Sequence, residues 1–266
     1  EMAQTQFSII KVVPMLGGFG CPFKCDYCID SGIPYHMLDL EVIKEDLRFL
    51  VKKMKHPRVA WWDPNFGVNF NVFMDSIESA VPNGSIEFGA QSSLATLTET
   101  NVKRLKRNGF KVIMAGIESW FDYGNKSKTG SISGIEKVYN VAEQVNMIRR
   151  YIPLIQTNFI FGFDSDEGEE PFELTKRFIG LAPGAYPAFS LLSIYGQGIN
   201  SNLRYIVEDR LIPYPFHFLD IASTLNIILK NYKWEEFFNH FIDLLKYNFS
   251  YKVLNDRFKA LDVTVP

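Results

Sequence analysis

The amino-acid sequence predicts an α/β fold of six successive strand–helix units with parallel strands, followed by a helical stretch at the carboxyl end. Three observations carry this expectation. Short apolar, β-branched runs alternate with longer amphipathic segments, the pattern of repeated βα units. The chain has 266 residues, 47% hydrophobic and 15% aromatic, which fills one α/β barrel better than two small domains. From about residue 218 to 261 the pattern turns helical and aromatic, with Trp234, Phe237, Phe238, Phe241, Leu244 and Leu245 on one repeating face. The expected division is a barrel over 1–198 and a helical extension over 199–266 packed on it.

In chain order, the strands are expected at 7–16, 58–63, 85–90, 110–116, 154–161 and 188–195. The first helix is marked by Leu40, Ile43, Leu47, Val51 and Met54 at helical spacing behind Asp39 as N-cap. Ahead of the fourth strand, Thr96-Leu97-Thr98-Glu99 reads as a capping box, and Gly109 ends that helix. In a parallel barrel the reactive groups stand at the carboxyl ends of the strands, so the residues just after each strand are the candidates for function.

Net charge is −2, without the basic excess that phosphate contacts demand, so no nucleic-acid partner is expected. Lys103, Arg104, Lys106 and Arg107 read as one solvated helix face. No run of eighteen apolar residues appears, and the first residues lack a charged segment followed by an apolar one. The expectation is a cytoplasmic protein with no membrane partner.

Cys21, Cys25 and Cys28 are the only cysteines, gathered in one C-x3-C-x2-C run behind Gly17, Gly18 and Gly20. Three thiolates at this spacing can hold three irons of a cubane cluster and leave the fourth iron open. The alternative is a structural zinc site completed by His36, although such sites usually draw their ligands from two separated pairs. A disulfide would leave one cysteine over, and nothing else suggests a secreted scaffold.

With Tyr27 just before Cys28, the run resembles the C-x3-C-x-aromatic-C signature of the radical S-adenosylmethionine (SAM) superfamily. That resemblance implies a partial (β/α)6 TIM-like barrel and a [4Fe–4S] cluster on the three cysteines. SAM then chelates the open iron, and an electron splits it into methionine and a 5′-deoxyadenosyl radical that takes hydrogen from the substrate. It also implies an electron donor such as flavodoxin or ferredoxin, and a small-molecule or peptide substrate.

The strand ends supply the remaining candidates. After the second strand, Asp63 and Asn65 stand where many relatives carry Gly-Gly-Glu for the SAM amino group, but Asp-Pro-Asn is also a strong turn former. After the third, Gln91 and Ser92 are hydrogen-bonding candidates, or simply a polar loop. The fourth ends in Gly116-Ile117-Glu118-Ser119, which closely resembles the family's Gly-Ile-Glu-Ser; by that resemblance Glu118 accepts the SAM ribose hydroxyls, as acidic residues do in dinucleotide folds, the alternative being a surface salt bridge. Lys126 and Lys128 follow as cations for the methionine carboxylate, or as solvated loop lysines. At the fifth, Gly162 and Phe163 are placed at the adenine, while Asp164, Asp166 and Glu167 serve equally well as charge complements to a helix N-terminus.

Over residues 7–195 the chain is most similar to radical SAM proteins that carry a cobalamin-binding domain, methyltransferases among them. The sequence contains no Asp-x-His-x-x-Gly stretch for a lower cobalt ligand and no further cysteine motif for auxiliary clusters. The leading expectation is therefore reductive SAM cleavage and hydrogen abstraction without cobalamin. The alternatives are a methyltransferase module working with a separate corrinoid protein, and a non-catalytic, metal-stabilised binding protein.

Overall fold

The computed structural model describes residues 12–194, 203–212 and 224–262. Along the chain, β1 (Val13–Met15) leads into a small hairpin, β2 (Gly18–Phe19) and β3 (His36–Met37), whose loop holds the three cysteines. Alternating units follow: α1 (Leu40–Lys53), β4 (Arg58–Trp61), α2 (Phe70–Ala80), β5 (Glu87–Ser93), α3 (Glu99–Arg107) and β6 (Phe110–Glu118). After the short α4 (Gly124–Ser127) come α5 (Gly134–Arg149), β7 (Leu154–Phe161), α6 (Glu170–Leu181) and β8 (Tyr186–Leu191). The carboxyl part contributes α7 (Leu203–Val207), α8 (Trp234–Asn248) and α9 (Tyr251–Asp262).

Six strands form one sheet in the order β1-β4-β5-β6-β7-β8, and every neighbouring pair is parallel. Because β1 and β8 stand at the ends of that order, the barrel is incomplete, as a partial (β/α)6 barrel requires. All the strand carboxyl ends share one rim, and the cysteine loop leaves β1 on that rim.

The sheet is seated on its helices by aromatic packing. Trp61 at the end of β4 lies 4.9 Å from the Phe73 ring of α2, Phe66 lies 5.2 Å from Phe73, and Phe88 lies 5.0 Å from Phe110. Each such side chain contributes about 1.5–3 kcal/mol by burial, so the backbone that carries Asp63 and Asn65 starts from a rigid base.

The predicted strands are present with shifted ends. The fifth is as expected. The second stops at Trp61, which leaves Asp63 in the following loop, and the third runs on to Ser93, so that Gln91 and Ser92 belong to β5. The fourth reaches Glu118 and the sixth begins at Tyr186; residues 7–11 of the first and residue 195 of the sixth lie outside the described residues.

Asp39 caps α1, its carboxylate accepting from the Glu41 N–H at 2.9 Å. The capping box expected at Thr96 is displaced: Thr98 caps α3, accepting from Asn101 N at 3.3 Å. Thr96 is otherwise engaged, its hydroxyl 3.1 Å from that of Ser93 and its carbonyl accepting from the Asn101 amide at 2.8 Å.

The carboxyl extension also differs from expectation. Residues 224–233 are not helical, and residues 213–223 lie outside the described residues. Leu225, Ile227 and Leu229 recur as buried apolar residues at every second position, with Asn226 buried between the first two, and Ile227 makes an antiparallel bridge with Leu211. The Asn226 amide completes the pairing by accepting from Ile194 N and donating to Ile194 O, both at 2.8 Å. A period of two is the signature of extended chain. Helix begins only at Trp234, and α8 then packs on the barrel through Phe237, 5.8 Å from Phe172 of α6, and Phe241, 5.8 Å from Phe161 of β7. The expected boundary at 198/199 falls outside the described residues.

Candidate active site

The cysteine loop is tied to the barrel at its start and hydrogen-bonded within itself beyond it. At its start, the Gly17 N–H reaches both carboxylate oxygens of Asp63, at 3.0 and 3.2 Å. Asp63 is only 4% exposed; burial raises its carboxyl pKa and the loop N–H groups oppose the rise. At the far side, Cys21 N donates to Ile33 O at 3.3 Å and Cys28 N to Cys25 O at 3.1 Å. Cys25 is buried, and Cys21 and Cys28 are half-buried. Burial pushes all three thiols up, Cys25 to about 11, and Lys126 pulls each of them back.

These residues fit a cubane. The donor set is three soft thiols in one loop, and among the described residues no group of His, Cys, Asp and Glu converges to hold a single metal ion. In a [4Fe–4S] cluster each thiolate meets a different iron, so the sulfurs stand around a cube and do not close on a point. His36, the fourth ligand of the zinc alternative, is exposed on β3.

Opposite the loop, β6 ends in a backbone distortion that presents a carboxylate. The register with β7 shifts between Gly116 and Glu118, and Glu118 adopts a left-handed conformation, φ 66°. A non-glycine residue in this region costs about 1–3 kcal/mol, which the surrounding structure has to offset. Glu118 is 6% exposed and its Oε1 accepts a hydrogen bond from Lys126 Nζ, which also donates to the Tyr27 hydroxyl at 3.2 Å. A Cβ on Gly116 would stand 2.2 Å from Glu118 Oε1 and 2.7 Å from Lys126 Nζ, so a side chain there would push the ion pair from its present position. Burial works against the Lys126 ammonium, but Glu118 and the neighbouring thiols hold its pKa above the usual value.

The aromatic residue of the cysteine run completes the wall. Tyr27 packs edge-on against Tyr123 at 5.1 Å and against Phe163 at 5.6 Å, and the Tyr123 hydroxyl donates to the Asp26 carboxylate. The rim thus brings together the cysteines, Tyr27, Glu118 and Phe163 from the predicted set. Gly162, next to Phe163, adopts φ 107°, and a Cβ there would meet Leu229 at 3.0 Å; its smallness serves the turn and the docked extension.

Other predicted residues hold the loops around this wall. Asn65 Oδ1 accepts from Ser93 N at 2.8 Å, Gln91 Nε2 donates to Asp63 O at 3.2 Å, and Ser92 Oγ donates to Phe66 O at 2.8 Å. Ser119 Oγ accepts from the N–H groups of Phe121 and Asp122 at 3.1 and 3.3 Å, which shapes the turn after Glu118. Lys128 is exposed, so the cation turned to the site is Lys126.

Two features escaped the sequence reading, and a third, Asp166, entered it only as a charge complement to a helix N-terminus. Lys137 is fully buried and donates to the carbonyls of Ser119, at 2.7 Å, and of Asp122; burial pushes its ammonium down to about 8. Its signal was a lysine on the same stripe of α5 as Val141 and Ile148. Asp166, 2% exposed, accepts from Gly162 N at 2.9 Å and Phe163 N at 3.1 Å, and burial pushes its carboxyl up to about 7. Arg210 grips Asp164 with two bonds of 2.9 and 2.6 Å, while Arg204 lies 3.1 Å from Asp26 of the cysteine loop. A cleft of about 550 Å³ beside this network is lined by Lys24, Asp26, Tyr123, Phe163, Asp164 and Arg204, among others.

Two bacteriochlorophyllide d methyltransferases of Chlorobaculum tepidum, acting at C-12(1) and at C-8(2), are each 26% identical to this chain. The first match covers 78% of the chain and 47% of the relative, and the second 72% and 44%, so the chain spans about half the length of the curated relatives it matches. Among solved structures, the radical SAM methyltransferase TsrM from Kitasatospora setae, with cobalamin and a [4Fe–4S] cluster bound, superposes with a TM-score of 0.54 at 16% identity. That superposition covers 68% of this chain and 34% of TsrM, and shows a shared fold. The family model of the Radical SAM superfamily matches residues 15–178, a span that holds the three cysteines, Tyr27, Glu118 and Phe163. The chain therefore belongs to the radical SAM superfamily and is an iron–sulfur enzyme whose cofactors are a [4Fe–4S] cluster and SAM.

Proposed function

We propose that this chain is the SAM-cleaving part of a methyltransferase acting on a carbon of a small organic molecule or peptide, with the methyl group carried by a corrinoid held outside the residues described here. The supporting observation is that both curated relatives are named as methyltransferases and align over 78% and 72% of the chain. This ranks methyl transfer above hydrogen abstraction alone, the leading reading of the sequence.

The chain's own residues have distinct tasks in this reading. Cys21, Cys25 and Cys28 hold the cluster, and Tyr27, Tyr123 and Phe163 keep water from the face beside it. Glu118 is the acceptor for the ribose hydroxyls, with Gly162 and Phe163 flanking the adenine. Asp63, Asn65, Gln91, Ser92 and Ser119 act through the loops they hold, since their described hydrogen bonds go to the protein itself. When bound, the cluster supplies the electron that splits the SAM sulfonium. An electron donor of the flavodoxin or ferredoxin type and a reducing, cytoplasmic setting belong to the same reading. Among the described residues no helix is long and apolar enough to cross a membrane.

The test is product analysis. Reconstituted protein is incubated anaerobically with reductant, SAM labelled with deuterium in its methyl group, methylcobalamin and candidate metabolites. S-adenosylhomocysteine formed in step with a labelled, methylated product supports the reading. 5′-Deoxyadenosine carrying hydrogen from the metabolite, with no methylated product, returns the enzyme to hydrogen abstraction alone.

A further inference from the structure

Lys126 occupies an unusual position. It sits on a single helical turn clamped between two left-handed residues, Tyr123 with φ 57° and Lys128 with φ 62°. Its own carbonyl accepts from Ala95 N at 3.1 Å, and Thr129 N closes the turn onto Gly124 O at 2.8 Å. This backbone is fixed, so the freedom lies in the side chain. The ammonium reaches Glu118 on one side and Tyr27, within the cysteine loop, on the other. It lies 5.9 Å from the centre of the Tyr27 ring, and Tyr27 stands between Cys25 and Cys28 in the cysteine run.

Glu118 has been assigned here to the SAM ribose, yet its Oε1 is taken by Lys126. The side chains of this pair are only 19% and 7% exposed, so water cannot cheaply replace either partner. We propose that Lys126 is exchanged between two anions: SAM's ribose hydroxyls take over Glu118, and the released ammonium turns to the thiolate face of the cluster, so that SAM binding makes the cluster easier to reduce.

The physical basis is electrostatic. Reduction adds one negative charge to the cluster, and a cation brought nearer in a low-dielectric site stabilises the reduced form more than the oxidised one. The electron comes from the external donor, and Lys126 keeps its proton throughout. The arrangement ties electron uptake to SAM occupancy, which guards against a reduced cluster with nothing to cleave. The inference rests on the cluster and SAM assignments, and iron content and SAM titration check those separately.

The experiment measures the midpoint potential of the reconstituted cluster by spectroscopic titration, with and without SAM, in the parent, Lys126→Met and Lys126→Arg. In the parent the potential is expected to rise when SAM is added. In Lys126→Met, with iron content and melting temperature checked, the rise is expected to be markedly smaller, and Lys126→Arg is expected to restore part of it. A rise of parental size in Lys126→Met overturns the proposal. If Lys126→Met fails to hold a cluster, the SAM-free parent, Lys126→Arg and Glu118→Gln decide. Glu118→Gln removes the anion that holds the ammonium, so, with SAM occupancy confirmed by titration, most of the SAM-induced rise should already be present without SAM and little should remain on saturating with it. A full parental SAM response in Glu118→Gln overturns the exchange.

Discussion

Two thiolates cannot hold a cubane firmly, so each cysteine of the loop is separately indispensable. Cys28→Ala is expected to lose both iron and SAM cleavage, and 5′-deoxyadenosine formed at the parental rate in that variant would contradict the assignment. Glu118→Ala is expected to weaken SAM binding by about 1–3 kcal/mol, the cost of removing a charged acceptor from buried hydroxyls, while iron content stays at the parental level. Calorimetric titration gives the affinity and a colorimetric iron assay the content. Asp166 yields a pH prediction. Its folded pKa, about 7, lies above the ordinary carboxylate value, so the folded state holds a proton that the unfolded state has already lost. Its contribution to stability is therefore greatest at low pH and falls as pH rises toward 7, by at most about 1.4 kcal/mol per pH unit. Asp166→Asn keeps an acceptor for Gly162 N and Phe163 N without the titration. Denaturant melts at pH 5 and pH 8 should show the parent losing stability relative to this variant. The cysteines and Glu118 were legible because a short motif fixes them. Lys137 and the burial of Asp166 were not, because only the folded structure tells a buried charge from a solvated one.

At the scale of elements, the extension is held to the barrel chiefly by the face of α8. Phe237 is fully buried and its ring lies 5.3 Å from Tyr232, 5.5 Å from Phe238 and 5.8 Å from Phe172. Phe237→Ala should cost about 3–5 kcal/mol, measured by urea unfolding, since the rings around it come from α8 itself, the segment before it and α6, and close only partly on the cavity. A loss below 1 kcal/mol would mean that α8 contributes little to the barrel's stability. The α8 face was readable because its apolar residues, from Trp234 to Leu245, recur at 3.6-residue spacing over about three turns. The neighbouring Leu225, Ile227 and Leu229 were absorbed into a helix by their overall apolarity, although their spacing of two points to extended chain. The cap of α3 slipped by two residues for a similar reason. Thr96 and Thr98 are both able caps, and Thr96 was already committed to Ser93 and Asn101, a tertiary fact that local sequence does not contain.

On the scale of the whole molecule, the order β1-β4-β5-β6-β7-β8 was foreseeable from the alternation of strands and helices, because parallel neighbours joined by helical crossovers leave few other arrangements. What that architecture does with SAM depends on what stands above the rim, where the described residues bring the cysteine loop together with Tyr123, Phe163 and Glu118. Of the histidines, His36 and His56 are exposed on β3 and just ahead of β4, and His240 lies on α8, its ring stacked 5.4 Å from Phe172. None of these three stands at a strand's carboxyl end, where a lower axial ligand would have to rise toward a corrinoid; His217 lies outside the described residues. The 266-residue chain on its own is therefore expected to bind hydroxocobalamin more weakly than about micromolar, equivalent to roughly −8 kcal/mol. With reductant and SAM alone it should form 5′-deoxyadenosine without S-adenosylhomocysteine, and methylation should appear only when the corrinoid is supplied in excess or on a carrier protein. Equilibrium dialysis with hydroxocobalamin and chromatographic quantification of both nucleoside products make the measurement. Sub-micromolar binding by this chain, or S-adenosylhomocysteine accumulating without added corrinoid, would show that it holds its own methyl carrier or transfers the methyl group directly from SAM.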